Sequence, residues 1–249
     1  ELETHQTRFL RHVSHELKTP LTAVREGSEL LNDRIVGEMS MQQTDVVRII
    51  RDNTVSLQRL IEDLLSYQQH KSATALKVET VELQPVIERV VREHRLEMLS
   101  RAISVDVRGD AITLQADREQ LRVVLDNLVS NAIKYTSAGG KVRIISSIDG
   151  AVAQIDVEDD GPGIALEEQE RVFESFYRGD ASANGKIKGS GLGLAIVREY
   201  VLAHQGHVYV VDPGKPGGRF RVRLPLDLSR SDVSLAQNNM QTQGDSIAA

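Results

Sequence analysis

The sequence predicts an α-helical hairpin, paired with a second copy into a dimeric four-helix bundle, followed by an α+β sandwich. Three observations predict it. Residues 1–70 carry apolar positions at helical spacing, with a single proline and no strand-like run. Beyond residue 76, short runs rich in Val and Ile with period-two character alternate with helical stretches. A polar, small-residue-rich stretch, residues 70–80 (HKSATALKVET), separates the two patterns.

The hairpin comes first. Phe9, Val13, Leu17, Leu21, Val24 and Leu31 form one amphipathic stripe. A break containing Gly37 follows at residues 32–40, and Val46, Ile50, Leu57, Ile61, Leu64 and Leu65 resume the stripe. Two long helices on a short loop make an antiparallel hairpin. One hairpin buries two stripes poorly, and roughly four helices are the usual stable bundle, so homodimerisation through residues 1–70 is the simplest remedy. A monomeric hairpin docked on the second domain is the alternative. Residues 71–80 then serve as linker. For the second domain, residues 81–226, and its approach, strands are expected at 77–81, 103–107, 113–116, 141–147, 153–158, 207–211 and 219–224. Helices are expected at 85–99, 118–135, 166–176 and 192–204. Such a mixture indicates a sheet covered on one face by helices. The tail, residues 227–249, is Ser/Gln/Asn-rich and expected to be disordered.

Bulk properties narrow the function. The 249 residues carry a net charge of −6, which argues against a nucleic-acid-binding surface. No cysteine is present, which removes disulfides, thiolate metal sites and cysteine nucleophiles. Aromatics make up 4% and Trp is absent, so the core must come from Leu, Ile, Val and Ala. No run approaches the ~18 apolar residues that a membrane helix needs. The sequence opens at Glu1, already inside a helical pattern. The expectation is that an N-terminal region, one carrying membrane segments, precedes it.

Four motifs carry chemistry. Asp159-Asp160-Gly161-Pro162-Gly163-Ile164 follows a strand. A carboxylate at a strand end can accept from an exocyclic amine, and neighbouring glycines let backbone approach a flat ring. Gly189-Ser190-Gly191-Leu192-Gly193-Leu194 opens a helix, whose N-terminal N–H groups can hold phosphate. Alone, it could equally be a tight turn. The Lys-Ser/Thr ending of the phosphate-loop ATPases is missing. Residues 179–188, rich in small residues, fit a lid between these two motifs. Asn127, Asn131 and Lys134 lie at i, i+4 and i+7, placing two amides and an ammonium on one helix face. An amide oxygen suits Mg²⁺ and an ammonium suits phosphate, with helix–sheet hydrogen bonding as the plainer alternative. Finally, His15-Glu16-Leu17-Lys18-Thr19-Pro20 sits in the first helix, with His15 off the Val13/Leu17 face and facing solvent. An exposed imidazole offers a nucleophilic nitrogen, and Glu16 can hold the proton of the other nitrogen. His12 competes but lacks the acid-Thr-Pro context. His5, His70, His94, His204 and His207 read as ordinary solvated residues.

Together and in this order, the motifs resemble the sensor histidine kinase family over about residues 5–225. Residues 9–21 (FLRHVSHELKTPL) resemble its phosphoacceptor box, residues 127–136 its first nucleotide motif, residues 159–164 its second and residues 189–194 its third. Residues 173–178 (FESFYR) resemble the phenylalanine-containing segment that opens its lid, with Phe173 and Arg178. The resemblance implies that residues 81–226 are an ATP-binding domain of the type shared with Hsp90, gyrase and MutL. Those ATPases typically hold a Glu where Asn127 stands here, which disfavours plain ATP hydrolysis as the output. It implies His15 as phosphoacceptor, Glu16 as its acid/base partner, and Thr19 as the residue orienting water for dephosphorylating the partner. It implies Asn131 as the Mg²⁺ ligand supported by Asn127, Lys134 approaching phosphate, Tyr135 flanking adenine and Asp159 reading the adenine amine. Gly161, Gly163, Ile164, Gly189, Gly191, Leu192, Gly193 and Leu194 would shape the pocket.

The activity so implied is ATP-dependent autophosphorylation of His15, with transfer to a receiver-domain aspartate of a response regulator and dephosphorylation of that regulator. The alternative is a dimeric signalling scaffold that binds nucleotide without kinase activity. The expected setting is the cytoplasmic portion of a bacterial inner-membrane protein. Residues 25–31 (REGSELL) resemble a subgroup paired with an enhancer-binding type of regulator.

Overall fold

The computed structural model describes residues 2–71, 76–179 and 190–228, with side chains described from residue 17 onward apart from parts of residues 56–75. The chain divides into two compact units, residues up to 75 and the rest of the described residues from 76 onward, except that residues 190–193 group with the first. Of the tail expected to be disordered, residues 229–249 lie outside the described residues, as do residues 180–188 of the expected lid; Asp227 and Leu228, at the start of that tail, are half-buried and make contacts.

The first unit is a helical hairpin of α1 (Leu2–Asn32) and α2 (Met41–Lys71). α1 runs on through Pro20. Ser40 starts α2 with a reciprocal cap. Its Oγ accepts from the Gln43 N–H at 3.2 Å, and Gln43 Oε1 accepts from the Ser40 N–H at 2.8 Å. Between the helices, Val47 is buried, but so are Ser28 and Thr54, and Arg25 donates to Gln58 across the hairpin at 3.3 Å. Leu17, Val24 and Leu31 on α1, and Val46, Ile50 and Leu57 on α2, stay exposed.

The second unit begins with β1 (Val78–Glu82), which already takes up residues 78–80 of the stretch read as linker. After it come α3 (Leu83–Glu93), α4 (Arg95–Ser100), β2 (Ser104–Gly109), β3 (Thr113–Asp117) and α5 (Arg118–Tyr135). β4 (Lys141–Asp149), β5 (Val152–Asp159), α6 (Gly193–Ala203), β6 (His207–Val210) and β7 (Arg219–Pro225) complete it. A five-stranded sheet runs β2-β4-β5-β7-β6, parallel only between β2 and β4, while β1 and β3 pair as a separate antiparallel ribbon. Alternate residues of β4, β5 and β7, such as Ile144, Ile155 and Val222, turn inward to join the core with Leu125, Leu128 and Ile133 of α5.

The other face of the sheet is ionic. Asp156, 2% exposed, takes Arg219 at 2.6 Å and Arg221 at 2.7 Å. Desolvation pushes its carboxyl up, and the two guanidinium groups outweigh this and hold it below the usual range.

Two expectations differ from the structure. Residues 85–99 are two helices broken at His94 rather than one. Residues 166–176 form only two 3₁₀ turns, Leu166–Glu168 and Arg171–Phe173. In that segment Phe173 alone reaches a buried site, edge-on to Phe220 at 6.1 Å, while Leu166 is 59% exposed. A single anchor does not pay for two turns of regular α-helix.

Candidate nucleotide site

The site grows from the two ends of α5 and the end of β5. Asp117 caps α5 by accepting from the Glu119 and Gln120 N–H groups at 3.1 Å each, which fixes where the helix starts. His204 supports that cap. Its Nε2 accepts from the Asp117 N–H at 2.9 Å, and its Nδ1 donates to the Tyr200 carbonyl at 2.7 Å. His204 is 3% exposed, so it is no solvated residue. His94 also departs from that expectation. Its Nε2 lies 2.8 Å from Asp126 Oδ1, and the carboxylate raises the imidazole pKa while its own is lowered by the histidine. His207 is exposed, as expected.

Along α5, Asn127 and Asn131 behave differently. Asn127 turns back on its own helix, donating to the Val123 carbonyl at 2.9 Å. Neither Asn131 nor Lys134 makes a side-chain hydrogen bond or ion pair among the described residues. An amide oxygen and an ammonium are thus left open on one helix face. Asn131 fits Mg²⁺, which takes one or two protein oxygens and completes its shell with water and phosphate.

At the C-terminus of α5, Arg101 donates to the carbonyls of Ile133 and Thr136 and, at 3.4 Å, of Lys134. This clasp was not foreseen, because nothing in residues 95–102 marks one cation among several as turned inward.

Asp159 closes β5, 6% exposed. Oδ1 accepts both the Gly161 N–H at 2.8 Å and the Gly218 N–H at 3.2 Å, while Oδ2 has no partner among the described residues. Burial pushes the carboxyl up, and the two N–H groups pull less strongly the other way. Glycine is required around it. A Cβ on Gly161 would lie 2.5 Å from Asp159 Oδ1 and 3.0 Å from the Tyr135 carbonyl oxygen, which also places Tyr135 beside this loop. Gly163, at φ +84°, would put a Cβ 2.1 Å from the Lys215 carbonyl.

The connection from β6 to β7 forms another wall. The Gly217 N–H donates to the Gly161 carbonyl at 2.9 Å, and the Gly214 N–H donates to the Ile164 carbonyl at 2.6 Å. Gly217 and Gly218 were missed from the sequence. The Pro-Gly-Gly run at residues 216–218 reads as an ordinary hairpin turn, and only the fold sets it against Asp159.

Of the remaining expected residues, Gly191 has φ +73° ahead of α6, and Leu192 is buried with its N–H on Ser190 Oγ at 3.3 Å. The Gly193 and Leu194 N–H groups find no acceptor among the described residues, as an anion-binding helix start requires. Phe173 is buried, and Arg178 is exposed but engaged. Beside them, Tyr177 donates to Glu168 at 3.0 Å under the Arg171 guanidinium, and Phe176 holds φ +66°. Thr19 is exposed on α1. The side chains of His15 and Glu16, and the whole of Gly189, lie outside the described residues.

Residues 116–228 match the family described as histidine kinase-, DNA gyrase B- and HSP90-like ATPase, and residues 5–73 match the His Kinase A (phospho-acceptor) domain. The chain is 42% identical over 224 residues to the sensor histidine kinase GlrK of Escherichia coli K12, covering 90% of this chain and 47% of that protein. It thus spans about half the length of the curated relatives it matches. Among solved structures, the mycobacterial sensor histidine kinase MprB is similar at 34% identity and TM-score 0.53, covering 59% of this chain and 97% of that one. Full-length ShkA in complex with AMPPNP is similar at 29% identity and TM-score 0.69, covering 88% of this chain and 45% of that one.

Proposed function

Since the chain belongs to the sensor histidine kinase family, we propose that it is an ATP-dependent protein-histidine kinase. It phosphorylates His15 and passes the phosphoryl group to a receiver-domain aspartate of a response regulator. The observation that carries the reading is Asp159, a buried carboxylate with one oxygen saturated by backbone and the other left open. A carboxylate oxygen left open at the end of β5 can accept a charge-assisted hydrogen bond from a ligand, and the amine of adenine supplies the donor. Tyr135 flanks the ring, and Gly161, Gly163 and Ile164 give the backbone close access to it. Lys134 and the free N–H groups at the start of α6 take the triphosphate. Asn131 would hold Mg²⁺, with Asn127 behind it, and the ion when bound screens the phosphate charge.

The step at His15 balances simply. Its free ring nitrogen forms a bond to the γ-phosphorus as the bond from that phosphorus to the bridging oxygen breaks, and ADP leaves with the electron pair. Glu16 takes the proton from the other ring nitrogen, so the phosphorylated ring stays neutral. Positioning and charge neutralisation supply most of the acceleration in such transfers. In the second step a carboxylate oxygen of the regulator attacks the phosphorus as the phosphorus–nitrogen bond breaks, and Glu16 returns the proton to the other ring nitrogen so that the histidine leaves as neutral imidazole. Thr19, one turn beyond His15, would orient the water that later removes the phosphate from the regulator. The chain acts as a dimer through residues 1–70, and the residues between α2 and β1 are the tether that lets nucleotide and histidine meet. No helix among the described residues is long and apolar enough to cross a membrane. The whole protein would be an inner-membrane sensor whose cytoplasmic portion is this chain.

Incubation with γ-labelled ATP and Mg²⁺ should give an acid-labile, base-stable phosphoprotein, and His15→Ala should abolish the label. Equal labelling of that variant would remove His15 from the reaction.

A further inference from the structure

The last turn of α5 presents Lys134 and Tyr135, yet it ends in carbonyls that no later turn can satisfy. Those carbonyls form the negative end of an 18-residue helix, an unfavourable neighbour for a triphosphate. A lysine in a last turn can bend back to cap them. Here it does not, because Arg101 is already there. Its Nη1 donates to the Ile133 carbonyl, and its Nη2 donates to the Thr136 carbonyl at 2.7 Å and to that of Lys134 at 3.4 Å. The backbone of the same residue holds the next loop, since the Arg101 carbonyl accepts from the Gly139 N–H at 3.0 Å. Arg101 therefore grips both sides of the turn between α5 and β4, and among the described residues its side chain makes no ion pair.

We propose that Arg101 is a positioning residue for nucleotide binding. By saturating the C-terminal carbonyls of α5 and offsetting their negative charge, it frees the Lys134 ammonium for phosphate and fixes Tyr135 for the purine. This rests on the nucleotide reading of the site. A planar guanidinium can reach several carbonyls together, whereas an ammonium at the same place reaches fewer and is held less firmly.

The test compares wild type, Arg101→Ala and Arg101→Lys in the full chain, by titration with AMPPNP and Mg²⁺ well below the thermal midpoint. Arg101→Ala should raise the dissociation constant about tenfold and Arg101→Lys about threefold, the sizes expected for losing all or part of a charge-assisted clasp. In autophosphorylation the change should appear in KM for ATP, with kcat within about twofold. A role in stability alone would lower the melting temperature and leave both constants unchanged at the lower temperature. That result overturns the proposal. If Arg101→Ala does not fold, Arg101→Lys decides by the same titration. Failure of wild type itself to bind AMPPNP would instead strike the nucleotide reading, a separate outcome.

Discussion

At the scale of single residues, Asp159 sets stability against ligand binding. Its carboxyl is pushed above the usual range by burial, so the folded state binds the proton more tightly than the unfolded chain does. The sign follows directly. Stability falls as pH rises from the unfolded value near ~4 through the raised folded value, and the penalty then persists at neutral pH. Asp159→Asn keeps an oxygen for the Gly161 and Gly218 N–H groups and carries no charge. Without nucleotide at pH 7 it should melt a few degrees above wild type, on the order of 1 kcal/mol. The advantage should fade toward pH 4. The variant should also lose the thermal shift that ATP gives wild type, because an amide N–H would then face the adenine amine donor to donor. A variant that melts lower and still responds to ATP would show that the open oxygen has another purpose. Much of this site was legible in the sequence, since Asp159 and its glycines form a contiguous motif. Gly218, Arg101 and His204 were not, because each acts on a residue at least 32 positions away.

Among the elements, the joint between α3 and α4 was misread as continuous helix for a related reason. Residues 85–99 keep apolar spacing and good helix formers throughout, and nothing local announces a break. The break is tertiary. His94 sits between the two helices and reaches Asp126 on α5 at 2.8 Å, with Glu97 at 3.7 Å from its other nitrogen. α5 itself was legible to its last residue; the structure caps it at Asp117 and buries Leu121, Val124, Leu125 and Leu128 along it. The His94–Asp126 pair has a defined pH window. The raised histidine pKa means that its contribution is full below ~6.5 and is lost as pH rises through the folded value. The lowered aspartate pKa sets the acid limit, the contribution being lost as pH falls through that folded value. His94→Gln should therefore cost ~1 kcal/mol at pH 5.5, discounted because Asp126 is partly exposed, and clearly less at pH 9. Urea unfolding at the two pH values measures it. An equal loss at both would mean that the ring packs but contributes no charge.

For the whole molecule, the two units differ in how well each encloses its own apolar surface. The sandwich buries residues such as Leu83, Ile87, Leu125, Ile144 and Val222 completely or nearly so. The hairpin buries few apolar side chains among its described residues, and its seam includes Ser28, Thr54 and the Arg25–Gln58 bond. Leu17, Val24 and Leu31 meanwhile repeat at seven-residue spacing on an exposed face of α1, and Ile50 and Leu57 do so on α2. A two-helix unit of this kind has too little core to stand against chain entropy. Covering these side chains in a four-helix bundle supplies roughly 1 kcal/mol for each half-exposed position. Val24→Glu combined with Ile50→Glu should therefore convert a dimer into a monomer in sedimentation equilibrium and reduce the helical signal in circular dichroism. AMPPNP affinity should stay within about twofold, because the nucleotide site is built from residues of the sandwich. Autophosphorylation should fall much further than binding, since the histidine-bearing helices would be lost as a scaffold. If the double variant stays dimeric, the exposed seam is not the contact between copies. If the wild-type chain sediments as a monomer with stable helices, the polar layer at Arg25, Ser28, Thr54 and Gln58 must hold the hairpin together by itself.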